Sequence, residues 1–92
     1  MFISVNVHTR RKQLPEAYVL INTDLGEEKK VLSALRKVEG VKETFTLYGT
    51  YAILARVVAD TLDRLKEIIN FGVRKLEKIE STLTLMTLEE EV

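Results

Sequence analysis

The sequence predicts an α+β fold: a ferredoxin-like βαββαβ unit with a four-stranded antiparallel sheet and two helices on one face, plus an N-terminal strand-like arm. Three observations carry this. Short β-branched and aromatic runs alternate with amphipathic stretches in the order strand, helix, strand, strand, helix, strand. Gly49 falls between the two middle runs, where the chain must reverse. The 92 residues, 46% of them hydrophobic, bound the chain to one globular domain. At that size a single core is marginal, and self-association often supplies the missing burial.

The elements follow in order. "MFISVNV" alternates, with Ile3, Val5 and Val7 on one side, and "HTRRKQLPE" ends that pattern with charge and the only proline, so residues 1–16 read as an arm and linker. "AYVLINT" is a compact strand run. It stops at Asp24, which is placed to cap a helix with Glu27 completing a capping box. That helix is predicted over 26–38, with Val31, Leu32, Leu35 and Val38 as its apolar stripe and Gly40 as its stop signal. "VKETFTLY" and "YAILARVV" form a hairpin around a two-residue type II′ turn at Gly49-Thr50, with Tyr48 and Tyr51 facing each other. Asp60 and Asp63 announce the second helix, whose buried face is Leu62, Leu65, Ile68, Ile69, Val73 and Leu76. Gly72 inside that pattern signals close packing or a late break. "IESTLTLMTL" is the last strand, closing a domain of residues 17–88, and 89–92 form an acidic tail.

The sheet faces carry further information. A sheet with one wet face alternates apolar with polar residues. Here Ala17, Val19 and Ile21 alternate with Tyr18 and Leu20, and Ile53, Ala55 and Val57 alternate with Ala52, Leu54 and Val58. Leu83 and Leu85 oppose Thr82, Thr84 and Met86 in the last strand. Two helices cover only one side, so a second copy packed sheet against sheet is expected over the other.

Composition removes several function classes. Fourteen basic and fourteen acidic residues leave a formal charge of +0, which gives no whole-domain attraction to nucleic acid or an anionic membrane. Without cysteine there is no disulfide, thiolate metal site or cysteine nucleophile. No apolar run reaches the length of a membrane span, and the N-terminal charges follow the apolar part, the reverse of a secretory signal; a cytoplasmic protein is expected. His8, the only histidine, has no partner at metal-ligand spacing and reads as a solvated or interface residue. Arg10, Arg11 and Lys12 read as a charged linker, Asp60 and Asp63 as caps, and Glu89 to Glu91 as a solubilising tail. The central strands carry no aromatic RNA-binding signature. No catalytic, cofactor or metal residues are assigned. What stands out is Tyr48, Gly49, Thr50 and Tyr51 in the turn with Ser81 to Thr84 in the last strand. These are small polar groups on rigid strands amid apolar residues, a setting shared by small-ligand sites and by ordinary threonine-rich strands.

The stretch "AYVLINTDLGEEKKVLSALRKVEGVKETFTLYGTYAILARV", followed by "IESTLTLM", resembles the effector-binding domain of the leucine-responsive (Lrp/AsnC) regulators, the RAM domain. The resemblance implies a ferredoxin-like domain that pairs through its sheet and assembles as dimers into rings, often octamers. It also implies that small effectors, usually amino acids, bind between dimers near the glycine turn. Residue by residue it implicates Gly49, Thr50 and Tyr51 from the turn and Thr82 and Thr84 from the last strand. Tyr48, Ala52 and Ser81 adjoin them. Ala52 stands where the family commonly has aspartate. Residues 1–16 leave no room for the family's helix-turn-helix, so a stand-alone form without direct DNA binding is expected. The expected function is a non-enzymatic sensing and oligomerisation module linked to regulation of amino acid metabolism, with a full-length Lrp/AsnC regulator as a candidate partner. The alternatives are a structural or interaction protein with a lapsed effector pocket, and a small enzyme on the same fold.

Overall fold

The computed structural model describes residues 14–87. The arm residues Ile3, Val5 and Val7, together with His8, Arg10, Arg11, Lys12, Leu88 and the acidic tail, lie outside the described residues. The chain runs β1 (Glu16–Thr23), α1 (Glu28–Arg36), β2 (Val41–Thr46), β3 (Ile53–Val58), α2 (Leu62–Glu67), a π-helical continuation (Ile68–Val73) and β4 (Ile79–Met86). The strands form one antiparallel sheet in the order β2-β3-β1-β4, the ferredoxin-like arrangement read from the sequence. β1 and β3 are central, so their alternation decides the core. Ala17, Val19 and Ile21 of β1 and Ile53, Ala55 and Val57 of β3 are wholly buried under Val31 and Leu35 of α1 and Leu65, Ile68, Ile69 and Val73 of the second helical segment.

The other face has no helix over it. Paired rows run across it: Phe45 beside Leu54, Leu54 beside Leu20, Leu20 beside Leu83, and Tyr18 beside Leu85. Leu20, Leu54 and Tyr18 are half-buried by their neighbours, while Phe45, Leu83 and Leu85 are 46%, 45% and 39% exposed. The apolar alternation therefore serves a core on one side only, and within a single chain the second apolar face is open. Arg56 stands among these rows, paired with Glu16 and, at 3.0 Å, with Glu43.

Helix ends differ from the sequence expectation. Asp24 does not cap α1. Its carbonyl accepts the Glu27 N–H (3.0 Å), closing a backbone turn through Gly26 at φ +79°, and the helix starts only at Glu28, with no side-chain cap. At the other end α1 stops at Arg36, short of the predicted Val38, so Gly40 (φ +97°) is not its stop signal but closes the turn that leads into β2. A Cβ there would lie 2.6 Å from Ile68 Cδ1 and 3.2 Å from the Val58 carbonyl oxygen, so close packing also requires glycine. Thr61, not Asp60, caps α2: its Oγ1 accepts the Arg64 N–H at 3.1 Å.

The second helix also changes pitch, which the periodicity did not predict. After Glu67 it widens, and the Arg74 N–H donates to the Ile69 carbonyl five residues back (2.9 Å). Three β-branched residues, Ile68, Ile69 and Val73, are buried in this stretch, a type that crowds a regular helix. Gly72 within it packs closely, as one of the two expectations had it: an added Cβ would be 3.0 Å from Val38 Cγ1. Leu62, assigned to the buried face, is 50% exposed in the first turn, whereas Leu76 packs against the core.

Candidate functional site

The hairpin connection is longer than two residues. β2 ends at Thr46 and β3 begins at Ile53, and the last backbone bond is from the Leu47 N–H to the Ala52 carbonyl (2.8 Å). Tyr48, Gly49, Thr50 and Tyr51 thus form an open loop in place of a type II′ turn. Gly49 has φ +141°, which a residue with a side chain rarely adopts, and nothing lies within 4 Å of where its Cβ would be. Tyr48 is fully exposed and Tyr51 half-buried. Ala52 anchors the loop to the sheet: its N–H donates to the Ile21 carbonyl (3.0 Å).

Ile21 also connects this loop to the last strand, because it pairs with Ile53 on one side and with Thr82 on the other. The loop and the start of β4 therefore share one end of the sheet, with β1 between them. Alternation along β4 then separates the sequence-predicted residues. Ser81 pairs with Asn22 and lies on the helix-free face, exposed. Thr82 and Thr84 pair with Ile21 and Val19, whose side chains enter the core, so they face the helices and are half-buried.

On that side Thr82 and Thr84 line a groove of about 470 Å³ between β4 and the second helical segment. Ile69 and Met86 supply its apolar part, and Lys66, Asn70 and Arg74 its opposite wall. The sequence reading missed the last three, because spacings of four and eight residues from Lys66 look like an ordinary solvated helix face. The Arg74 Nη1 donates to Asn70 Oδ1 (3.2 Å), which holds the guanidinium along the groove. The loop contributes no residue to this lining. One chain thus brings Thr82 and Thr84 together with helix residues, and keeps Tyr48, Gly49, Thr50, Tyr51 and Ala52 apart from them.

Among the described residues no cluster of three or more histidine, cysteine, aspartate or glutamate side chains is placed to hold a metal, and no helix is long and apolar enough to cross a membrane. The strongest electrostatic feature is the Glu16–Arg56–Glu43 cluster. The hydrogen bond that Arg56 donates to Glu16 is the main effect raising the Arg56 pKa, and burial, followed by the hydrogen bond with Glu16, raises that of the neighbouring Tyr18.

The family model for the Lrp/AsnC ligand binding domain matches residues 16–92. The structure is similar to FFRP-DM1, with 32% identity and a TM-score of 0.77 over 82% of this chain and 100% of that one. It shares its fold with E. coli AsnC (19% identity, TM-score 0.75), covering 94% of this chain and 64% of that one. The fold also recurs in the transcriptional regulator NMB0573 from Neisseria meningitidis, whose structure is a complex with L-Met (13% identity, TM-score 0.72, 91% of this chain and 61% of that one). No curated protein matches the sequence. With the family model spanning β1 to the C-terminus and the four-stranded fold agreeing throughout, the chain belongs to the Lrp/AsnC ligand-binding domain family.

Proposed function

We infer that this chain is a non-enzymatic sensing and oligomerisation module of the cytoplasm that binds an amino acid or related metabolite and acts in the regulation of amino acid metabolism. The observation that carries the reading is the family match over residues 16–92. Two features support it. The open apolar face of Phe45, Leu20, Leu54, Leu83 and Leu85 suits sheet-against-sheet pairing, and dimers so formed would assemble into rings, up to octamers, as the resemblance implies. The loop residues Tyr48 to Ala52 of one chain would then meet Thr82 and Thr84 of another across a contact between chains, and the effector would sit between them, with Ser81 turned to the opposite face of the sheet. NMB0573, a regulator with the same fold, forms a complex with L-Met. A full-length Lrp/AsnC regulator is the natural partner for a mixed assembly.

A second reading, an interaction protein with a lapsed pocket, rests on Ala52. Its methyl group offers no acceptor to an amino acid's ammonium, which loses water on entering a site and needs a partner there. Thermal denaturation against a panel of amino acids and related carboxylates separates the two, because a ligand of the native state must raise the melting temperature. Native mass spectrometry with and without each hit then gives the assembly. If no compound shifts the melting temperature, the sensing reading is lost and the second one stands.

A further inference from the structure

We propose that the groove between β4 and the second helical segment selects a small organic carboxylate without an ammonium group, making the effector a 2-oxo acid or similar anion and not an amino acid. The proposal rests on the reading of Thr82 and Thr84 as effector residues and specifies the class of ligand they receive. Its support is the polarity of the lining. Lys66 and Arg74 are cations, and the polar groups facing them, the Thr82 and Thr84 hydroxyls, are neutral groups that can donate to a carboxylate but carry no negative charge to offer an ammonium. Asn70 spends its carbonyl on Arg74, which leaves its amide N–H groups as further donors. Among the described residues no carboxylate lines the groove, and neither Lys66 nor Arg74 has an acidic partner within 4.0 Å.

Two cations thus lie along one wall of the groove in a chain whose formal charge is +0. Arg56 and Arg64, by contrast, lie among acidic side chains and are each ion-paired. The positions follow from the backbone. Lys66, Asn70 and Arg74 recur every fourth residue, and the widened π turn between Ile68 and Val73 carries Ile69 into the groove beside them. Such turns are frequent at functional sites.

The same lining decides against an ammonium. A carboxylate would accept from Arg74, Lys66 and a threonine hydroxyl, which are charge-assisted bonds. An α-ammonium placed there would meet two like charges and no anion. Ile69 and Met86 give a short aliphatic tail an apolar surface, which favours a carboxylate with a hydrocarbon part over inorganic phosphate.

Calorimetry on the full chain compares 4-methyl-2-oxopentanoate with leucine, which differ at the group where ketone replaces ammonium, and with inorganic phosphate. The oxo acid is expected to bind at least about ten-fold tighter than either, with an affinity that falls as salt is raised. Lys66→Gln and Arg74→Gln, both at exposed positions, should each weaken it by about ten-fold while leaving the melting temperature of the free protein unchanged. Leucine binding as tightly as the oxo acid, with both variants behaving like the parent, overturns the proposal and leaves the sensing function intact. Phosphate binding tightest overturns the assignment to a carboxylate. If none of these probes binds and the wider thermal panel is also silent, the sensing function itself fails.

Discussion

Thr23 closes β1 with its side chain buried and its Oγ1 without a hydrogen-bond partner among the described residues, at the point where the register with β4 shifts. A buried hydroxyl left unpaired loses its water without recompense. Thr23→Val keeps the β-branched shape and removes that cost, so it should stabilise the fold by about 1 kcal/mol in urea denaturation. Tyr18 makes a prediction of the opposite sign, at alkaline pH. Burial, followed by its hydrogen bond with Glu16, raises its pKa above the ordinary 10.0, so the folded chain favours the protonated phenol. The stability tied to that preference is fully present below the ordinary value and is lost as pH rises through the raised one. Tyr18→Phe should therefore show a shallower loss of stability between about pH 9 and 11 than the parent, measured by denaturant midpoints at each pH.

Among the elements, caps and turns are the points at which single residues change the outcome. Thr61→Ala should cost about 1 kcal/mol through loss of its bond to the Arg64 N–H, while Asp60→Ala should cost little because Asp60 caps nothing. Gly49→Val should cost about 1–3 kcal/mol, since φ +141° strains a β-branched residue even with open space around it; thermal melts of the two proteins check this. These same points limited what could be read from the sequence. The strands and both helical segments were legible because a buried face imposes its period on the residue types, as Val19 and Ile21 or Val31 and Leu35 show. Asp60 misled because the neighbouring Thr61 caps equally well, and Asp24 because a backbone turn through Gly26 delays the helix to Glu28, which no side chain caps. The loop at 47–52 outgrew its predicted turn because pairing stops at Thr46 and Ile53, a register effect spread over two strands. Of the candidate site, the threonines and the glycine loop could be singled out by residue type. Lys66, Asn70 and Arg74 could not, since only the packing of the helix on β4 turns a solvated face into a wall.

At the scale of the whole molecule the unmatched sheet face dominates. Leu54 sits at its middle, with Phe45 on one side and Leu20 on the other. Leu54→Lys places a charge where a second sheet would pack, without touching the helix-covered core, so the secondary structure should survive while assembly fails. Sedimentation velocity at micromolar concentration should find the parent as a dimer or larger and the variant as a monomer with an unchanged far-UV spectrum. A monomeric parent would refute the pairing of sheets.

The loop at Gly49 and the groove at Thr82 are separate features of one chain, and an effector bridging them between two copies would turn binding into a count of chains. The apparent affinity of such a ligand would weaken on dilution, and its presence would tighten the association of those copies by the same factor. Ligand concentration and protein concentration would then be interchangeable inputs: a cell making more of the chain would respond at a lower level of metabolite, with no change in any side chain.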